Sequence, residues 1–263
     1  MNIGDIVKID KLVKMKNNKY KIYIDGEYFI TYDDVILDNG LLYKKEIDKE
    51  VYNKIINDVI FYDIYNKVLK YCLKKIRSEK EVVDYLNKFN LSEDNINKII
   101  LKLKNIGIIN DIHYARAYIN DKIYLNKMGI NKIRVDLLEQ NIPIDVIEEE
   151  LKNIDQNFID NTLEKLILKR INTNHKYSKN LLRQKILSEM INLGYSKESI
   201  IEIIDNNLSE DDYIMNKEFD KIYNKLKKKY NGEELNIKIK QKMISKGFSI
   251  DKINELVQKN TGN

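Results

Sequence analysis

Apolar and polar positions alternate one for one near the start of the chain. In "KYKIYIDGEYFITY", Tyr20, Ile22 and Ile24 alternate with Lys19, Lys21, Tyr23 and Asp25, and the run turns at Asp25-Gly26. An Asp-Gly pair between such stretches predicts a β-hairpin, because both turn positions favour positive φ. "IVKIDKLVKM" before it supplies a third strand, and a three-stranded sheet is expected because a lone hairpin is marginal. From Glu46 onward the period lengthens to about 3.6. In "DIYNKVLKYCLKKI", Ile64, Val68, Leu69 and Cys72 fall on one helical face. Ser78 opens a helix through Ser78-Glu79-Lys80-Glu81, the spacing of a capping box. Ser92 precedes another helix, which Gly107 ends. Helix follows helix to the C-terminus.

One phrase recurs among these helices. "LNKFNLSEDNI", "LLEQNIPIDVI", "MINLGYSKESI" and "MISKGFSIDKI" begin at Leu86, Leu137, Met190 and Met243, at separations of 51, 53 and 53 residues. Each first residue is the last apolar contact of a helix. Four residues on stand Asn90, Asn141, Gly194 and Gly247, the residue types most tolerant of left-handed backbone at a helix end. An apolar residue then folds back (Leu91, Ile142, Tyr195, Phe248). Ser92, Ser196 and Ser249 are placed to cap the next helix, and Pro143 takes that position in the second copy. Asp94, Asp145, Glu198 and Asp251 fall in the first turn, where negative charge suits the helix dipole. The phrase predicts a structural joint in a unit of three helices and about fifty residues. The expected fold is mainly α, with four tandem three-helix repeats forming an elongated curved solenoid behind the small sheet. The boundaries read as a β subdomain at 1–45, a helical connector at 46–62, and repeats at 63–111, 112–157, 158–206 and 207–263.

Composition narrows the function. With 43% apolar and 33% charged residues, the chain suits a soluble helical protein. No apolar window is long enough to span a membrane, the start lacks the layout of a secretory signal, and a single cysteine forms no internal disulfide. A cytoplasmic protein with no membrane partner is expected. The net charge of +5 lies in a composition rich in Lys, Asn, Ile and Tyr, so surplus lysine says little about partners. The second repeat carries 8 acidic and 6 basic side chains between basic neighbours, which breaks any continuous nucleic-acid stripe.

The blocks resemble the RecX family, regulatory proteins that act on RecA recombinase. "LKKIRSEKEVVDYLNKF" carries the family's Arg-Ser-x-x-Glu helix entry as Arg77, Ser78 and Glu81. In "IINDIHYARAYINDKIYLNKMGINKIRVDLLEQNI", Asn110-Asp111, Tyr114-Ala115, Gly129, Ile133 and Leu138 match the family's acidic junction, aromatic-Ala helix and Gly-led helix. Asn110 replaces the first acid of that pair, and Lys132-Ile133-Arg134 departs from Arg directly before Ile. The N-terminal hairpin is similar to the extension of the family's Firmicutes members. The resemblance spans essentially the whole chain. It implies an all-helical repeat body that binds in the groove of the RecA–DNA filament, inhibits recombinase and coprotease activity, and has some affinity for single- or double-stranded DNA.

Nothing in the residues says enzyme. His113 and His175 have no partner at metal-ligand spacing, Cys72 lies on an apolar face, and no Gly-rich phosphate loop occurs. No catalytic residue, metal or cofactor is expected. Glu148-Glu149-Glu150 reads as a solvated helix face. Partner or DNA contacts are sought among the arginines, whose fork suits carboxylate and phosphate: Arg77, Arg116, Arg134, Arg170 and Arg183. Lys132 beside Arg134, and Lys169 and Lys179 in "LILKRINTNHKYSKNLLRQK", complete the set. A monomeric regulator of RecA filaments is the first reading. A stand-alone DNA-binding protein built of helix-turn-helix-like units is the alternative.

Overall fold

The structure is a computed structural model that describes residues 6–209 and 212–261. It divides into two compact units, one through Tyr114 and one from Ala115. The first opens with strands β1 (Ile6–Lys14), β2 (Lys19–Ile24) and β3 (Glu27–Tyr32). Asp25 and Gly26 turn β2 into β3 with φ of 47° and 85°. Helix α1 (Asp33–Asp38) follows, and then a short strand β4 (Glu46–Asp48) pairs antiparallel with β1. The sheet therefore has four strands, in the order β3-β2-β1-β4, instead of the three expected. Three residues are too few to display an alternating period, so β4 was hidden beside the long helix that it precedes.

Helix α2 (Lys49–Leu73) is capped by Asp48, whose side chain accepts from the Val51 amide. It belongs to two cores. Ile55 and Tyr62 pack with Ile22, Ile24, Val35 and Leu41 under the sheet. Further along the helix, Ile64, Val68 and Cys72 pack with α3 (Glu79–Leu86) and α4 (Glu93–Asn105) through Val82, Leu86, Ile99 and Leu103. Ser78 and Glu81 form both bonds of the capping box at the start of α3. Burial pushes the Cys72 thiol above its ordinary range.

A polar lattice ties the sheet to the helices. The Tyr62 hydroxyl donates to Asp38, and Lys102 of α4 donates to that hydroxyl at 3.0 Å. Tyr32 donates to Asp63 at 2.6 Å. Burial, with Asp63 close by, pushes the Tyr32 phenol up to about 12.

Helix α5 (Asp111–Asn120) runs across the division between the two units and continues as a π-helical turn over Asp121–Leu125. The second unit then comprises α6 (Ile130–Glu139), α7 (Ile144–Lys152), α8 (Gln156–Asn172), α9 (Lys179–Asn192) and α10 (Lys197–Asn207), followed by α11 (Asp212–Leu226), α12 (Gly232–Ile244) and α13 (Ile250–Thr261). Phe219, Leu235, Ile239, Met243, Phe248 and Ile253 close the core of the last three helices. No helix of the described residues is long and apolar enough to cross a membrane.

Candidate partner-binding surface

The repeated phrase is a helix joint at every copy. Asn90, Asn141, Gly194 and Gly247 have φ of 51°, 60°, 94° and 83°. In three copies the same hydrogen bond closes the ended helix: Ile142, Tyr195 and Phe248 donate to the carbonyls of Leu137, Met190 and Met243. Ser92 and Ser196 accept from the amides of Asn95 and Ser199, and Ser249 from that of Lys252. Pro143 is the N-cap of α7, and its ring has no hydrogen-bonding atom to offer.

Two of these joints also serve as docks. The Leu193 carbonyl, just before Gly194, accepts from the amide of Gly129, the N-cap of α6. The Lys246 carbonyl, just before Gly247, accepts from the amide of Ser178, the N-cap of α9. The same backbone contact thus recurs between successive triplets of helices. It also explains why these joints hold glycine where the earlier two hold asparagine. A Cβ on Gly194 would lie 2.4 Å from Lys132 Cβ, and one on Gly247 would lie 2.6 Å from Ser178 Oγ. Gly129 faces the same crowding, 2.3 Å from the Gly194 carbonyl carbon. Tyr195 completes the dock: its hydroxyl donates to the Lys127 carbonyl at 2.9 Å, and burial pushes the phenol up to about 12.

Every arginine finds a carboxylate of its own chain. Arg116 of α5 grips Glu150 of α7 with two bonds of 2.9 Å. Arg134 of α6 forks onto Glu148. Arg170 of α8 holds Glu189 of α9, and Arg183 of α9 holds Asp205 of α10. Arg77 pairs within its own turn with Glu81, and its guanidinium lies 4.2 Å from the centre of the Tyr71 ring. Four of the five therefore link one helix to another. Glu150 leaves the solvated face expected of the acidic triplet, being only 7% exposed, while Glu148 is partly exposed and Glu149 points outward, to Lys152. The forked hydrogen bonds from Arg116 and Arg134 hold both carboxyls below their ordinary range. Lys132 pairs with Asp136 one turn ahead.

The basic segment joining α8 to α9 is more open. Lys169 and Lys179 are exposed, and the ammonium groups of Lys176 and Lys185 each stand 4.8 Å from the centre of the Tyr177 ring. Beside it lies a cleft of about 470 Å³, lined by Tyr177, Lys179, Leu208, Phe248 and Lys252 among others. Periodicity and capping signals revealed the joints. The acid partners of Arg116, Arg134, Arg170 and Arg183 lie 34, 14, 19 and 22 residues away, on another helix, and no local pattern announces them.

No protein-family model matches the chain. Curated relatives do, over nearly the full length of both partners. The chain is 31% identical to "Regulatory protein RecX" of Streptococcus mutans, over 94% of this chain and 97% of that protein. It is 30% identical to the protein of the same name from Bacillus cytotoxicus, over 96% and 97%. The corresponding Listeria welshimeri protein is 28% identical over 97% of each. Among solved structures, one described as the crystal structure of regulatory protein RecX superposes with a TM-score of 0.67 at 25% identity, covering 76% of this chain and all of that one. With sequence and fold in agreement, the chain belongs to the RecX family of regulatory proteins.

Proposed function

We propose that the chain binds in the groove of the RecA–DNA filament and inhibits its recombinase, ATPase and coprotease activities. The observation that carries this reading is the recurrence, one triplet of helices later, of the same joint docked on the preceding helix start. A chain that repeats one unit at a fixed step suits a partner that is itself a polymer of identical subunits. Contacts too weak to hold singly then act together through high effective concentration. The relatives' name, regulatory protein, supports a role in control instead of chemistry.

Of the candidate contacts, Lys169 and Lys179 are exposed and reach outward. The arginines hold carboxylates of this chain along one edge of the guanidinium, and the N–H groups left over are the ones that meet a RecA carboxylate or a phosphate. The test is RecA turnover of ATP on single-stranded DNA, with cleavage of a repressor substrate followed in parallel. Both fall with added protein to a low plateau at saturation. Full turnover and full cleavage at saturating protein would overturn the proposal.

A further inference from the structure

Residues 11–24, "KLVKMKNNKYKIYI", hold five lysines and no acid. Those five equal the entire net charge of the chain, since all other residues together carry 41 basic and 41 acidic side chains. The sheet sorts them by face. Ile22 and Ile24 are buried in the core with Leu12 packed beside them. The register opposes Lys11 to Tyr23 and Val13 to Lys21 across β1 and β2, and Lys21 to Ile30 and Tyr23 to Tyr28 across β2 and β3. These residues share the opposite, outward face. Tyr28 is 57% and Ile30 44% exposed there.

The outward residues touch one another. The rings of Tyr23 and Tyr28 lie 5.6 Å apart, and Lys21 Nζ stands 3.4 Å from the centre of the Tyr28 ring. Lys19, on the same face at the end of β2, stands 5.1 Å from the centre of the Tyr32 ring. Among the described residues none of the five lysines forms an ion pair with an acid, in contrast to the arginines. The acids that bound the run are otherwise engaged. Asp10 accepts from the Gly26 amide at the β2–β3 turn, Asp25 accepts from the Lys8 amide of β1, and Asp33 accepts from the next amide as α1 begins. Toward β4 the charge is balanced, with Lys8 opposite Glu46.

We propose that the outward face of β1–β3 binds single-stranded DNA. Tyr23 and Tyr28 stack on bases while Lys11, Lys19 and Lys21 meet phosphates. Sheet-borne aromatic rings flanked by cations suit unstacked bases, whose faces a duplex keeps hidden. On binding, Lys21 leaves the Tyr28 ring for a phosphate, and the freed ring receives a base. The outward strand positions hold no Ser, Thr, Asn or Gln, so the groups able to meet a 2′-hydroxyl are the Tyr and Lys side chains already given to bases and phosphates, which favours DNA over RNA. This inference does not depend on the RecA reading, and its test contains no RecA.

The experiment is fluorescence anisotropy of a labelled oligothymidylate of about twenty nucleotides, titrated with the full-length protein. Tyr28→Ala weakens binding about tenfold, the loss of one base stack, and Tyr28→Phe restores it. The double variant Lys19→Gln/Lys21→Gln weakens binding and lowers the slope of log K against log salt by about 1.4, two single-strand phosphate contacts. Lys228→Gln/Lys229→Gln, which removes the same charge elsewhere, changes the affinity less than twofold. An equal loss in that comparator, no loss in the sheet variants, or tighter binding of a duplex, an oligouridylate or phosphatidylserine vesicles overturns the proposal. Melting temperatures of the variants that match the parent tie each loss to the surface.

Discussion

Gly194 and Gly107 both hold left-handed backbone, yet a methyl group has different consequences at the two. At Gly107 (φ 72°) nothing lies within 4 Å of an added Cβ, so Gly107→Ala bears only the conformational cost of about 1 kcal/mol. At Gly194 the same atom would meet Lys132 Cβ at 2.4 Å and Lys132 N at 2.5 Å, and α6 must shift away from its dock. Gly194→Ala is expected to cost roughly 3 kcal/mol, and thermal denaturation of the two variants checks the order. A sequence shows that a left-handed residue is wanted at each joint. It does not show which joints have a neighbour close enough to exclude even a methyl group, so the division between asparagine and glycine became readable only in three dimensions. Glu150 supports a pH prediction at the same scale. Its folded carboxyl is held below the ordinary value of 4.5, so the pair with Arg116 stabilises the fold above that value, and the stabilisation is lost as pH falls through the lowered one. The melting temperature of the parent therefore drops on acidification below about pH 4.5, whereas Glu150→Gln melts lower at neutral pH and responds less to acid.

Among the elements, α2 bears the most consequence, because its two halves serve different cores. Ile55, fully buried, is the contact that fixes its first half to the sheet. Ile55→Ala is expected to cost about 3 kcal/mol by opening a cavity, with amide-exchange protection lost across β2 and β3. A truncation that begins at Lys49 would uncover Ile55 and Tyr62, so it should bind hydrophobic dyes and aggregate where the full chain does not. The hairpin was legible from its alternation, and so was the helical period after it, although the boundary expected at 62/63 falls inside α2. The six-residue α1 and three-residue β4 were not, since neither repeats its pattern often enough to separate from a loop. The capping box at Ser78 was legible from four letters. Removing it in Ser78→Ala should lower stability by about 1 kcal/mol, seen as a shift in the urea midpoint.

Over the whole molecule, charge is distributed with a division of labour that composition conceals. Four of the five arginines hold helix to helix, while the five lysines of residues 11–24 form no ion pair among the described residues. Counting basic residues by block could not separate these roles, because an ion pair across helices and a free surface charge contribute the same letter. Family membership and the repeated triplets make regulation of a polymeric partner the central reading. A pull-down of RecA filaments assembled on single-stranded DNA, with free RecA and DNA alone as the other arms, tests it most directly. The protein is expected to be retained by the filament at least tenfold more than by either component. Equal retention by bare DNA, or none by the filament, would contradict the account.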